Sequence, residues 1–245
     1  MGGMARTQGK HRHQAVEKGD RQTKARWRWL TRLLGVLAVF TVGLPVTVTL
    51  LYRVIPPPIT PLMVIRLFEG NGLDKRWTPL ERVSSAAAQA VIAAEDNRFC
   101  QHSGIDWQAI KQALDAHWSG DRLRGASTIS MQVAKNIFLW PKRSLLRKAL
   151  EIYLTLLIEA FWSKRRILEV YLNVAEWGPG VYGVEAAARR YFNKPAAKLT
   201  GREAALLAVL LPNPQQWSPR SAFVRHRAQV IRARIGQIQS LYDCL

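Results

Sequence analysis

The residues best suited to acid–base chemistry are two glutamates in apolar surroundings, Glu95 and Glu151. An alanine-rich run at 86–94 favours helix, and it delivers Glu95 and Asp96 to a point where Asn97 favours leaving the helix. A carboxylate at the end of a buried helix can face a cleft on one side and an apolar wall on the other, which suits a general acid or base. An isolated Glu–Asp pair at a helix end is more often solvated than catalytic. The pair alone therefore makes Glu95 a candidate general acid or base and nothing more.

The second glutamate lies within segment 144–162, where apolar residues cover more than one helix face. Helices that are apolar all round are buried or contact a membrane, so we predict that this segment is the central helix of the core. A carboxylate there is costly unless it is paired. Arg147 precedes Glu151 by four residues, an order that contributes only a few tenths of a kcal/mol. An intrahelical ion pair is the plain interpretation, but a polar cleft crossing this helix explains the charges better.

A third stretch could bind an anion. Gly125, Ser127 and Thr128 open a further predicted helix and offer backbone N–H groups and hydroxyls, and Lys135 and Asn136 follow one to two turns later. Ordinary helix capping explains the first three residues at least as well. The stretch is not a Walker-type loop, because no Gly-Lys-Ser/Thr follows it.

Composition limits the partners. Among 245 residues, 36 Lys and Arg stand against 17 Asp and Glu, giving a formal charge of +19, which favours an anionic partner such as nucleic acid, acidic lipid or a phosphorylated substrate. Cys100 and Cys244 are too few for a disulfide framework or a zinc site. They could pair in an oxidising compartment, but their separation in sequence gives no reason to expect it.

The N-terminal region predicts a membrane anchor. Residues 1–32 form a basic tail, and residues 33–52 are free of charge over the ~20 residues needed to span a bilayer, so we assign the anchor to 33–55. A cleaved signal peptide is the alternative, but no small-x-small cleavage site follows the apolar run. The excess of cations on the N-terminal side predicts a cytoplasmic N-terminus and an extracytoplasmic remainder. Nucleic acid is therefore not an expected partner.

The exported part reads as mainly α-helical. Residues 56–61, rich in proline, predict a stiff extended spacer, and a domain follows at 62–245. Residues 63–68 are a short β-prone segment that ends in a turn signal at 69–72. Helices are predicted at 83–96, 106–119, 127–139, 144–162, 163–177, 183–192, 200–211 and 222–240. Thr200 and Glu203 form a capping-box pattern at the start of the seventh.

Five blocks in this order resemble the motifs of the peptidoglycan glycosyltransferase family, the lysozyme-like domain also found at the front of class A penicillin-binding proteins. They span roughly residues 60–240 and read Glu95-Asp96-x-x-Phe99-x-x-His102-x-Gly104, Gly125-x-Ser127-Thr128-Ile129, Arg147-Lys148-x-x-Glu151, Lys164-x-x-Ile167-Leu168-Glu169-x-Tyr171-Leu172-Asn173 and Gly183-Val184-Glu185-Ala186-Ala187-Ala188. The second block departs from the family in one place, since Met131 stands where the first of two glutamines is usual and Gln132 remains. Without a Ser-x-x-Lys motif or room for a transpeptidase domain, the chain is most similar to the monofunctional members.

The resemblance implies a reaction. Lipid II, a disaccharide-peptide on undecaprenyl pyrophosphate, is polymerised into glycan strands with inversion and loss of the lipid pyrophosphate. Glu95 would be the general base and Glu151 the second carboxylate. Lys135, Arg147 and Lys148 would stabilise the leaving pyrophosphate. No cofactor is obligatory, although a divalent cation, Mg²⁺ or Mn²⁺, could share that task, and no protein metal site is expected.

The resemblance also implies binding roles and partners. Asp96, Phe99 and His102 would shape the acceptor side, and Ser127, Thr128 and Gln132 would line the donor groove. The expected partners are lipid II, the growing glycan chain, the membrane, and other proteins of cell-wall synthesis or division. The expected location is the cytoplasmic (inner) membrane, spanned once, with the catalytic domain in the periplasm or its equivalent.

Two alternatives come from other classes. A lysozyme-like hydrolase would also use two carboxylates across an α-rich cleft, but a neutral sugar does not need the cations at 135, 147 and 148. A membrane-anchored scaffold without catalysis would explain Met131 as decay, but it would not explain why both glutamates are present.

Overall fold

The structure is a computed structural model that describes residues 27–119, 125–142, 144–237 and 244–245. Most of the predicted basic tail, residues 1–26, lies outside the described residues. The chain divides into two compact units, Met1–Val48 and Thr49–Leu245, and each is described by itself.

The first unit contains most of helix α1, Trp27–Tyr52, in which Val39–Gly43 form a π-helical turn. Its apolar side chains are mostly exposed. Within the described part of the chain it is the one helix that is long and apolar enough, at 26 residues, to cross a membrane. This helix overlaps the anchor predicted at 33–55.

In the second unit, side-chain hydrogen bonds hold the end of α1 and the segment that follows it in place. Arg166 donates from Nη2 to the carbonyl oxygens of Tyr52 (2.9 Å) and Ile55 (3.0 Å). Lys75 donates from Nζ to the carbonyl oxygen of Pro58 (2.8 Å) and also to that of Pro57. Residues 56–60 form no regular helix or strand, whereas Pro61, the last residue of the predicted spacer, begins the next helix.

The prediction of a β-prone segment at 63–68 was wrong, because Pro61–Phe68 form helix α2. Thr60 accepts a hydrogen bond at its side chain from the backbone N–H of Met63, and Pro61 occupies the first helical turn. Thr at the N-cap and Pro at the first position are strong helix-start signals. They outweigh the β-propensity of the aliphatic residues that follow, which is weak and depends on context.

The rest of the second unit is a bundle of helices with a small sheet, so the predicted mainly α fold is confirmed. Its helices are α3 (Ser85–Glu95), α4 (Trp107–Trp118), α5 (Ile129–Phe138), α6 (Leu145–Phe161), α7 (Lys164–Val174), α8 (Val184–Phe192), α9 (Gly201–Leu210) and α10 (Ala222–Gln237). The predicted capping box at Thr200 and Glu203 starts α9.

The sheet has the strand order β1–β3–β2, with β1 at Asp74–Lys75, β2 at Glu176–Gly178 and β3 at Val181–Tyr182. β1 pairs parallel with β3, and β2 pairs antiparallel with β3. The helix predicted at 163–177 therefore extended too far. Val174 ends the helix, and Glu176 and Trp177 belong to a fully buried strand.

The core is centred on α7 and α9, which bury most of their side chains. Helices α3, α9 and α10 pack together, and α5 packs against α6 and α7. The prediction that α6 is the central helix of the core was wrong for one of its faces, since Leu145 is 92% exposed and Leu156 is 50% exposed. An apolar helix can leave one face uncovered, and composition alone does not say which neighbour covers it.

Cys100 and Cys244 form a disulfide, with their Cα atoms 5.6 Å apart. The bond joins the short 3₁₀ turn Phe99–Gln101, just after α3, to the C-terminal end of the chain. Only the tertiary fold brings these two residues together, because 144 positions separate them in sequence.

Candidate functional site

A cleft of about 690 Å³ opens between α5 and α6 and is bounded by α2, α7, β2 and the segment after α9. It gathers six of the predicted site residues, namely Ser127, Gln132, Lys135, Arg147, Lys148 and Glu151. Helical spacing explains the convergence, since residues three or four apart share one face of a helix. Gln132 and Lys135 thus share a face of α5, and Arg147, Lys148 and Glu151 share a face of α6.

Glu151 is held by two cations of its own helix. Its Oε2 accepts from Arg147 Nη1 at 2.5 Å and its Oε1 accepts from Lys148 Nζ at 2.6 Å. The glutamate is 3% exposed and Arg147 is 8% exposed, whereas Lys148 reaches solvent. The ion pair and the polar cleft, which the sequence left as alternatives, therefore occur together. Both carboxylate oxygens are occupied by charged donors, so Glu151 is suited to hold cations in place.

Lys135 lies among the charges of both glutamates. Burial lowers the pKa of its ammonium group, as do the charges of Arg147 and Lys148, while the carboxylates of Glu151 and Glu95 raise that pKa. Within the described ranges, no hydrogen bond or ion pair holds this ammonium group. A half-buried cation without a protein partner can bind an anion that enters the cleft.

Glu95 is the last residue of α3 and has a different environment. Its Oε2 accepts a hydrogen bond from Gln132 Nε2 at 2.7 Å, and Gln132 Oε1 accepts from the hydroxyl of the buried Tyr171 at 3.1 Å. Burial raises the pKa of Glu95, and the hydrogen bond from Gln132 and the positive charges of Lys135 and Arg227 oppose that rise. A raised pKa brings the pKa of a carboxyl closer to neutral pH, and a general base is most effective when its pKa lies near the working pH.

The two glutamates border neighbouring cavities. Glu95 lines a smaller cavity of about 160 Å³ between α3, α9 and α10, and Pro212 lines both cavities. Gln132 connects them, because its side chain lines the large cleft and donates to Glu95. Gln132 and Pro212 therefore link the cleft to the cavity that Glu95 lines.

Asp96 and His102 brace the end of α3. Asp96 is 7% exposed and accepts from the backbone N–H of Ile129 at 2.9 Å and from His102 Nε2 at 3.0 Å. His102 Nδ1 accepts from the backbone N–H of Gly104 at 3.1 Å, which places the ring proton on Nε2. These bonds attach the first turn of α5, and hence Gln132, to the helix that carries Glu95.

Gly104 allows this brace to lie against α6. Its φ is +91°, and a Cβ atom there would lie 2.8 Å from side-chain carbons of Thr155 and Glu159. Thr128 donates to the Gly104 carbonyl oxygen at 2.6 Å and accepts from the backbone N–H of Met131, so it caps α5. The spacing from the histidine to this glycine therefore has a packing reason.

Four predicted substrate-binding residues lie outside the linings of both cavities within the described part of the chain: Asp96, Phe99, His102 and Thr128. Phe99 is completely buried in the core. Their binding roles stay predictions, and the contacts observed are structural. Met131 is 2% exposed, so this departure from the family motif is a buried apolar side chain.

The sequence analysis did not select Arg66 and Glu176, which also line the cleft. Glu176 Oε1 accepts from Gln215 Nε2 at 2.6 Å and from the Tyr182 hydroxyl at 3.3 Å. Burial raises the pKa of Glu176, and the nearby Arg66 opposes that rise. Each of the two is a charged residue inside an otherwise apolar run, and this pattern was the signal that could have identified them as site residues. It was missed because we assigned one run to a strand and the other to a longer helix.

The described residues contain no group of three or more His, Cys, Asp and Glu side chains that could hold a metal ion. On the cation side of the cleft, Glu151 has both oxygens occupied by Arg147 and Lys148. Neither oxygen of Glu151 is therefore left free of a described donor to ligate a metal ion.

Comparison with known proteins agrees with the motif pattern. The family model Transglycosylase matches residues 63–236. The chain is 55% identical over 215 residues to the biosynthetic peptidoglycan transglycosylase of Rhodospirillum centenum, covering 86% of this chain and 93% of the relative. It is 50% identical over 222 residues to the protein of the same name from Caulobacter vibrioides, covering 89% of this chain and 97% of that relative. A family match over most of the chain and relatives at this identity confirm the resemblance drawn from the five motif blocks, and the chain belongs to the transglycosylase family.

Proposed function

We propose that this protein is a peptidoglycan glycosyltransferase that polymerises lipid II into glycan strands. The observation that carries the proposal is the pairing of Glu95, a carboxyl of raised pKa, with a neighbouring cleft that holds Lys135, Arg147 and Lys148. The first is suited to accept a proton, and the second is suited to receive a pyrophosphate. The family and the names of its relatives agree with the proposed activity.

In the proposed reaction, Glu95 accepts the proton of the 4-hydroxyl of the acceptor sugar. The freed oxygen attacks the anomeric carbon of the donor, which is the growing chain. The bond from that carbon to the pyrophosphate oxygen breaks on the opposite face, so the configuration inverts. The lipid pyrophosphate leaves with the bonding electrons, and Glu95 then releases its proton to water. Gln132 keeps the carboxylate oriented and favours its ionised form.

Stabilising the leaving group is the task of the cations. Negative charge develops on the pyrophosphate oxygens, and preorganised positive groups in a partly buried site stabilise it strongly. Lys148 reaches solvent and Lys135 has no described partner, so both can turn to the ligand. Arg147 is more deeply buried and fixes Glu151. A Mg²⁺ or Mn²⁺ ion bound to the pyrophosphate is an auxiliary in this proposal, and no step depends on it.

The proposed location is the cytoplasmic membrane, with α1 as the single anchor and the catalytic unit outside the cytoplasm. Three observations support it: the length and composition of α1, the basic residues that precede it, and the disulfide between Cys100 and Cys244. Disulfides persist in oxidising compartments such as the periplasm, and cations favour the cytoplasmic side of an anchor. Lipid II and the growing strand are both membrane-bound substrates, so an anchored enzyme would share their membrane.

The test is turnover of lipid II by the purified full chain in detergent or in vesicles. We expect glycan polymer and released undecaprenyl pyrophosphate. A second incubation, with finished peptidoglycan, separates this activity from that of a lysozyme-like hydrolase. Soluble fragments from the polymer, together with no product from lipid II, would contradict the proposal. Absence of both activities would favour the scaffold alternative.

A further inference from the structure

Glu176 and Arg66 form a second polar group in the wall of the large cleft, apart from the cation cluster. The charges that act on Lys135 are those of Glu151, Arg147, Glu95 and Lys148, whereas Arg66 is the charged group that acts on Glu176. The two groups therefore differ in charge. The cation cluster has three positive side chains against Glu151, while the single positive charge of Arg66 faces two carboxylates, that of Glu176 at 3.5 Å and that of Glu69 at 2.6 Å.

The two oxygens of Glu176 are used unequally. Oε1 accepts three hydrogen bonds, from Gln215 Nε2 at 2.6 Å, from the Tyr182 hydroxyl at 3.3 Å and from the backbone N–H of Gly180 at 3.4 Å. Oε2 lies 3.5 Å from Arg66 Nε, and no described residue donates a hydrogen bond to it. Arg66 Nε is itself a buried donor without an acceptor.

A buried carboxylate oxygen without a hydrogen-bond donor costs free energy unless a ligand supplies the donor. Glu176 is only 6% exposed, and a buried carboxylate normally uses its full capacity to accept hydrogen bonds. A carboxylate oxygen that lines a cleft and lacks a donor is complementary to an O–H or N–H group. Arg66 disfavours a cationic ligand beside Glu176, and the carboxylates of Glu176 and Glu69 disfavour an anionic one, so an uncharged donor fits best.

We propose that Glu176 is a specificity-determining residue that accepts a hydrogen bond from a hydroxyl or acetamido N–H group of an amino sugar of the substrate. The inference rests on the proposed function, which brings an N-acetylated disaccharide into this cleft. The pyrophosphate then lies on the cation cluster, and the sugar extends along the wall formed by Arg66 and Glu176. Sites that hydrogen-bond a substrate hydroxyl or amide discriminate against analogues that lack the group, because the buried partner is left unpaired.

The substitution E176Q tests the inference sharply. The three donors around Oε1 require an acceptor at that place, so they fix the new amide with its carbonyl oxygen there. The NH₂ group consequently replaces Oε2 and presents a donor where the carboxylate presented an acceptor. Side-chain volume and most contacts of the wall are kept. A matched control is E69Q, which removes the other acidic partner of Arg66 at an exposed position outside the lining of the cleft.

The measurement is the kinetics of lipid II polymerisation by the full chain, with two inhibitors as probes. We expect E176Q to raise KM about tenfold, as for the loss of one hydrogen bond to a charged group, with a smaller effect on kcat. N,N′-diacetylchitobiose, an uncharged amino-sugar disaccharide, should inhibit the parent and E69Q but inhibit E176Q about tenfold less. Inorganic pyrophosphate should inhibit all three equally.

The outcomes separate the two proposals. If the parent polymerises lipid II but chitobiose inhibits parent and E176Q alike, or inhibits neither, the inference about Glu176 is overturned and the proposed function stands. An equal weakening of both inhibitors in E176Q would show a general disturbance of the cleft and would also overturn it. If the parent does not polymerise lipid II, the proposed function itself fails.

Discussion

Glu95 and Glu151 border neighbouring cavities but are stabilised in opposite ways. Glu95 accepts one described hydrogen bond, from a neutral amide, and burial raises its pKa. Glu151 is more deeply buried, and each of its oxygens accepts from a cation. A buried carboxylate with little compensation for its charge binds a proton more readily than a solvated one. In the proposed reaction, proton transfer and the organisation of charge therefore belong to different glutamates.

The substitution E95Q should have the largest effect on activity and no cost in stability. Removing the general base should lower kcat for lipid II polymerisation by about a thousandfold, within the range for such groups. Lipid II should still bind, because the cations of the cleft remain. A carboxyl whose pKa is raised by folding destabilises the folded state once it is ionised, so at neutral pH the neutral amide should keep or raise Tm. Turnover, lipid II binding and thermal unfolding measure the three effects.

Polymerisation by E95Q at the parent rate would remove Glu95 from the role of base. A fall in Tm comparable to that of E151Q would show that its environment is not the poorly compensated one that the structure describes.

The substitution E151Q should reduce both activity and stability. It leaves Arg147 without its anionic partner in a buried place, and breaking a buried pair by removing one partner costs about 3 kcal/mol. Without Glu151, Arg147 and Lys148 are no longer held where they would stabilise the leaving pyrophosphate, so kcat should fall about a hundredfold. A combined measurement of Tm and turnover tests this, with the exposed Lys142→Met as a control that should leave both unchanged. Loss of activity at an unchanged Tm would instead make Glu151 a group that acts on the substrate directly.

The pH dependence of kcat should sharpen the comparison further. In the proposed reaction Glu95 must be ionised to act, so the rate should fall as the pH drops through its raised pKa. In Gln132→Leu the hydrogen bond that favours the ionised form is lost, so this acid limb should move to higher pH. An acid limb that stays in place would show that Gln132 does not act on Glu95.

The smallest expected effect is that of Arg227→Gln. The positive charge of Arg227 lowers the pKa of Glu95 from an exposed position on α10, so its removal should move the acid limb slightly upward. Salt should weaken the difference from the parent, because exposed charges are screened. Arg225→Gln, on the same helix but outside the lining of the smaller cavity, should leave the limb unchanged. Equal shifts in the two variants would point to net charge and not to this arginine.

Much of the fold was predictable because its signals are local. The helix-forming run before Glu95, the capping box at Thr200 and Glu203, and the spacing of Arg147, Lys148 and Glu151 each act within a few residues of sequence. The failures also have local causes. Thr60 and Pro61 start a helix, but the aliphatic residues after them led us to predict a strand. Glu176 lies in a strand that we had predicted as the end of a helix, because the helical pattern continues to that point.

By itself, the sequence determined the family, the two glutamates, the cations and an apolar N-terminal helix, because residue type and spacing carry these features. Only the tertiary structure decided that Gln132 joins Glu95 to the cleft, that Cys100 meets Cys244, and that Glu176 faces Arg66. Each of these contacts joins residues that are distant in sequence. Such contacts form only when the helices pack, and the burial that packing creates is also what shifts the pKa of Glu95.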